Sequence, residues 1–157
     1  MEHITSQLSN DFKEDILRKF YTVGGFILFP SNKIDKKLTI NGSRGFNSRI
    51  VDRFDLTLEC IRRFYNQETS PLYDTLNRYS DFFKLFQDFK GYVDFFLLQD
   101  LVIENYSKVK FFIPFDENFP TQPLPQDKDD YLIFLRNNET FLDGRNQRIR
   151  QWLDDFY

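Results

Sequence analysis

The chain is short of the residues on which most hydrolytic and redox chemistry rests: 157 residues hold one cysteine, one histidine, one methionine and one tryptophan. With Cys60 alone no internal disulfide can form, which fits a reducing compartment. His3 lies in the polar opening MEHITSQLSNDFKED, and residues 1–10 are expected to be frayed. No imidazole is then left inside the fold for general-base work, nor a second one for a metal site. Ser-His-Asp and Cys-His catalysis are excluded on that count. Cys60, flanked by Glu59 and Ile61, reads as a small core filler, not a nucleophile. No catalytic residue is assigned and no cofactor is expected. The polar, acidic opening does not read as a signal peptide, and the most apolar run, Tyr92 to Ile103, is broken by Asp94 and Asp100. The expectation is a cytoplasmic protein with no membrane association.

What the chain has in excess is aromatic rings, 20 Phe and 8 Tyr. At this length about 70% of the unfolded surface can be buried, so the core must be largely phenylalanine. Some rings are left over for a patch that faces a partner. A net charge of -3 argues against a general polyanion binder.

The expected fold is α+β, one helix-dominated globular domain over 11–157 with four or five helices and a two- or three-stranded antiparallel sheet. Phe12, Ile16, Leu17 and Phe20 recur at helical spacing behind a cap at Asn10 or Asp11. Gly24-Gly25 ends that helix, Phe26 to Phe29 reads as a buried strand stopped by Pro30, and Leu38 to Ile40 as its hairpin partner. The run NGSRG, Asn41 to Gly45, reads as a turn. The clearest helix covers Ser48 to Tyr65, with an apolar stripe at Ile50, Phe54, Leu58, Ile61 and Tyr65. Ser70-Pro71 opens another to Phe86, and Phe89 to Asn105 is a third. Val109 to Ile113 is a third strand candidate, and Asp127 to Phe156 a last helix bent at Gly144.

The segments GGFILFPSNKIDKKLTINGSRGFN, DRFDLTLECIRRFY and SPLYDTLNRYSDFFKLFQDFKGYVDFFLLQDL carry a resemblance, together with VKFFIPFD and FLDGRNQRI. From Tyr21 to Ile149 the chain resembles a bacterial family of unknown function. The resemblance implies bacterial or phage origin and no activity. Similar proteins tend to be longer at the N-terminus and often carry a histidine where this chain has Phe64, which speaks against a histidine-dependent activity here.

Four constellations have a functional and a plain reading. Around the glycine turn, Lys37, Arg44, Arg49 and Arg53 can bind an anion, a nucleotide or a nucleic acid, or the turn is simply capped and its charges solvated. Residues 33–53 carry six cations against Asp35 and Asp52; residues 116–130 carry Asp116, Glu117, Asp127, Asp129 and Asp130 against Lys128. Such polarity steers a partner, or it only keeps two faces in water. Asp52, Asp55 and Glu59 share a helix face, as ligands of a hard cation or as members of surface salt bridges. Phe82, Phe83, Phe86, Phe89, Tyr92, Phe95 and Phe96 form the densest ring cluster, with Asp81, Asp88, Asp94 and Asp100 interleaved to repel phosphates. It reads as core plus a protein-interaction patch over Phe82, Phe83, Phe86, Phe89 and Tyr92. The leading expectation is a non-catalytic interaction protein with a protein partner; a narrower form is a mobile-element inhibitor of a bacterial nucleic-acid defence system. The alternatives are the basic-turn binder and a metal-dependent phosphodiesterase or hydrolase.

Overall fold

A computed structural model of the chain describes residues 2–6, 8–115, 118–119 and 122–156. In chain order the helices are α1 (Glu2–Thr5), α2 (Asn10–Phe20), α3 (Ile40–Phe46), α4 (Phe54–Tyr65), α5 (Tyr73–Arg78), α6 (Ser80–Lys84), α7 (Phe89–Phe95) and α8 (Lys128–Asp154). The strands β1 (Val102–Ile103) and β2 (Lys108–Val109) pair antiparallel, with Val102 opposite Val109 and Ile103 opposite Lys108. The fold is helix-dominated α+β with a small two-stranded sheet. Among the described residues no helix is long and apolar enough to cross a membrane.

The chain divides into two compact units, Met1–Ile27 with Pro125–Tyr157, and Leu28–Leu124. In the first, α2 is capped by Ser9, whose hydroxyl accepts the Phe12 N–H. Asp127 caps α8 and accepts the Asp130 N–H at 2.9 Å. α8 then runs 27 residues and stays helical through Gly144.

In the second unit α4 is the central element. All seven residues from Asp55 to Ile61 are buried, so this helix is enclosed on every side. The expected charged outer face is therefore corrected: Arg53, Asp55 and Glu59 lie inside. Charged groups are tolerated there only when paired, and each of these is. Rings continue the core outward from α4. Phe64 and Phe83 lie 5.1 Å apart between centroids, Phe83 and Tyr92 5.8 Å, and Tyr92 and Phe96 4.8 Å. Such pairs contribute about 0.5–1.5 kcal/mol each beyond the area they bury.

Several expected elements change. Leu38 to Ile40 is not a strand, because the Thr39 hydroxyl accepts the Gly42 N–H at 3.1 Å and starts α3, which absorbs the supposed NGSRG turn. Deprived of that partner, Phe26 to Phe29 is not a strand either. The central helix begins at Phe54, not Ser48, since Val51 and Asp52 have left-handed φ of 44° and 61° and break the helical path. The two helices expected over 70–86 and 89–105 are shorter pieces, and the second gives up Val102 and Ile103 to the sheet.

Candidate functional site

The arginines of the basic turn are engaged within the second unit. Arg44 forms an ion pair with Asp52 at 2.7 Å and donates to Thr57 Oγ1 at 3.0 Å and to the Asp52 carbonyl at 2.8 Å. Burial pulls its pKa below the usual guanidinium value, with Asp52 opposing. Arg49 donates to the carbonyls of Asn118 and Phe119, the latter at 3.0 Å. Arg53 grips Asp55 through two bonds, 3.0 Å and 2.5 Å, and reaches the Pro123 carbonyl. Lys37 stands exposed. The expected quartet thus resolves into three arginines bonded within the chain, Arg53 buried, Arg44 half-buried and Arg49 exposed, and one exposed lysine.

The three acids are likewise distributed. Asp52 pairs with Arg44, Asp55 pairs with Arg53 and accepts the Phe112 N–H at 2.9 Å, and Glu59 lies between Arg62 and Arg63. Asp55 and Glu59 are buried and Asp52 is exposed, so the surface salt-bridge picture holds for Asp52 alone. Among the described residues no group of three or more His, Cys, Asp or Glu could hold a metal ion. Cys60 is fully buried, and burial pushes its thiol up to about 12. Asp116 and Glu117 of the acidic stretch lie outside the described residues.

Two hollows open on the second unit. The first, about 460 Å³, is walled by Leu28, Phe29, Pro30, Phe82, Leu85, Phe86, Phe95 and Phe96, every one apolar. Its floor is Phe86 and Phe96, in contact at 5.4 Å. Its lips, Leu28, Leu85 and Phe95, are 77%, 74% and 69% exposed. Of the expected interaction patch, Phe82 and Phe86 line this hollow, whereas Phe83, Phe89 and Tyr92 are buried core residues. The run Leu28-Phe29-Pro30 does not show itself as a wall in the sequence, because its β-type composition points to a strand.

The second hollow, about 470 Å³, is lined by Glu59, Arg62, Arg63, Glu68, Ser107, Lys108, Val109, Phe111 and Phe115. Glu59 accepts from Arg62 at 2.9 Å through both Nε and Nη2, and from Arg63 Nε at 2.7 Å. Arg62 also reaches Glu68 at 3.1 Å and 3.4 Å. Its bonds to Glu59 hold Arg62 above its usual pKa, so it stays cationic throughout. The rings of Phe111 and Phe115 lie 4.2 Å apart at 31° and form the apolar side. In the sequence only the Glu59–Arg63 spacing hinted at this cluster. Phe64 packs on Tyr73 and Phe83.

Motif residues of the first unit also serve as clamps. Arg145 donates to the carbonyls of Gly24 and Phe26 at 2.6 Å and 2.8 Å. Asn146 accepts the Gly24 N–H at 2.8 Å and donates to Thr22 Oγ1. A Cβ at Gly24 would stand 2.7 Å from Asn146 Oδ1, so only glycine fits without movement. GGF and DGRNQR are thereby one structural unit, although more than a hundred residues separate them. No curated protein and no solved structure matches the chain. A family of unknown function, DUF6994, matches over residues 1–149, and the chain belongs to that family.

Proposed function

We propose that the second unit is a docking module whose apolar hollow receives an amphipathic helix from another protein. One observation carries the proposal: eight apolar side chains wall a concave site while three of them, Leu28, Leu85 and Phe95, remain largely in water. Exposed rings and leucines around a hollow cost solvation unless a partner covers them. A helix presenting apolar anchors one turn apart is the occupant such a groove suits. The helices that line it carry Asp81, Asp88 and Asp94 against Lys84 and Lys90. Lys84 pairs with Asp81 and Lys90 with Asp94, which leaves the acidic sign in slight excess and favours a partner helix with a basic flank.

The test is selection of helical peptides from a displayed amphipathic library. Binders should carry two apolar residues at i and i+4 and should lose at least tenfold in affinity against Phe95→Asp. Binders that ignore Phe95→Asp and Leu85→Asp, or a selection that returns none, would remove the proposal.

A further inference from the structure

We propose that the polar hollow is a binding site for a small organic anion carrying a flat ring, and that the ligand's anionic group takes the place of the Glu68 carboxylate on Arg62. The two carboxylates on Arg62 differ in hold. Glu59 is bound at 2.7–2.9 Å by two guanidiniums and its side chain is only 6% exposed. Glu68 is bound by Arg62 at 3.1 Å and 3.4 Å and by Asn66 Nδ2 at 3.2 Å, all longer than the bonds to Glu59, and is 46% exposed. Charge-assisted bonds are strong when short, about 2.7–2.9 Å, and when shielded from water, so Glu59 is part of the framework and Glu68 is the replaceable one. Its exchange needs no loop movement. The Glu68 N–H donates to the Arg63 carbonyl at 2.8 Å, which holds the backbone while the side chain turns.

Charge favours the exchange. Arg62, Arg63 and Lys108 line the hollow against Glu59 and Glu68; with Lys108 paired to Glu104 at 2.9 Å, a departing Glu68 leaves one positive charge in excess. The fork presented by Arg62 Nη1 and Nη2 suits a phosphate or carboxylate, both of which accept two parallel N–H bonds. Opposite it, the half-buried rings of Phe111 and Phe115 supply an apolar wall on which a flat ring can stack. The volume, about 470 Å³, lies within the range of about 300–1,000 Å³ common for small-molecule sites. The ligand class is thus an oxyanion next to a ring, from a nucleoside monophosphate or an aromatic carboxylate.

Calorimetric titration at low salt separates the sources. Adenosine monophosphate, 1-naphthoate and inorganic phosphate are titrated into the full chain and into Glu68→Gln, Phe115→Leu and the charge-matched control Glu14→Gln. Glu68 is exposed, so its variant retains the fold. One of the two ring-bearing anions should bind about tenfold more tightly to Glu68→Gln than to the unaltered protein, with no gain in Glu14→Gln. The same ligand should weaken severalfold in Phe115→Leu and with added salt. The other ring-bearing anion then falls outside the class. No ring-bearing anion gaining from Glu68→Gln would overturn the proposal. So would an equal gain in Glu14→Gln, or inorganic phosphate binding as tightly as either ring-bearing anion.

Discussion

Two hollows of nearly equal volume on the same unit differ in one respect that matters for function: whether their walls are already satisfied. In the polar one, carboxylates occupy the guanidiniums, and the network closes on itself around the buried Glu59. In the apolar one, nothing in the described chain covers Leu28, Leu85 or Phe95. Unfilled apolar surface seeks a partner without competition, whereas a filled ionic network admits a ligand only by exchange. The comparison also teaches that charge in a motif such as DRFDLTLECIRR points first to the interior, since Arg53, Asp55 and Glu59 are all buried there.

The contrast is broken most forcefully at Glu59. Glu59→Ala leaves Arg62 and Arg63 without their buried counter-charge and should reduce stability by about 3–5 kcal/mol, read as a lower urea midpoint. A loss below 1 kcal/mol would show the polar framework to be dispensable. On the apolar side the floor and the lip should part. Phe86→Ala empties the base of the hollow and should cost about 3 kcal/mol. Phe95→Asp at the lip should stay within about 0.5 kcal/mol of the parent. Equal losses at the two positions would mean that the lip is part of the core.

Cys60 reports on the same contrast more gently. Its buried thiol should resist alkylation at pH 8 in the native protein and in Phe95→Asp, and react readily in Glu59→Ala, as α4 opens. Fast labelling of the unaltered protein would contradict the enclosed α4. The smallest effect concerns Asp94, on the helix that supplies Phe95 and Phe96. Burial raises its pKa, but bonds from Lys90, Tyr106 and Gln99 overcome this and hold the carboxyl below its usual value. A depressed carboxyl adds stability above its unfolded pKa of about 3.9, and this is lost as pH falls through the folded value. The melting temperatures of the parent and Asp94→Asn should therefore differ at pH 7 and converge below about pH 4. A gap that stays constant with pH would show that the carboxylate charge is immaterial.

Periodicity made α8 and the second half of α4 legible in the sequence, because long stripes at helical spacing outlast local exceptions. The class of fold followed from those helices and from the short extended run near Val109. The sheet partner did not, since a two-residue strand such as Val102–Ile103 carries no periodic signal and lay in an apolar run that reads equally well as helix. α3 was hidden by its glycines, which suggest a turn until the cap at Thr39 is seen. Both hollows were only half visible. Phe82 and Phe86 belonged to an evident cluster, but that Phe83, Phe89 and Tyr92 turn inward depends on where α6 and α7 break. Burial of Asp55 and Glu59 depends on guanidiniums reached only after folding, and spacing along one helix shows a pair without showing its depth.

The Gly24–Asn146 clamp has a consequence for how the chain is made. The unit it closes is discontinuous, with its two segments at opposite ends, while the unit bearing both hollows is one uninterrupted stretch. During translation Leu28–Leu124 can emerge and fold while the leading segment waits for α8 to leave the ribosome. Until then α2 lacks α8, against which it packs, and a nascent chain stalled before residue 128 should present Ile16, buried in the finished protein, to chaperones.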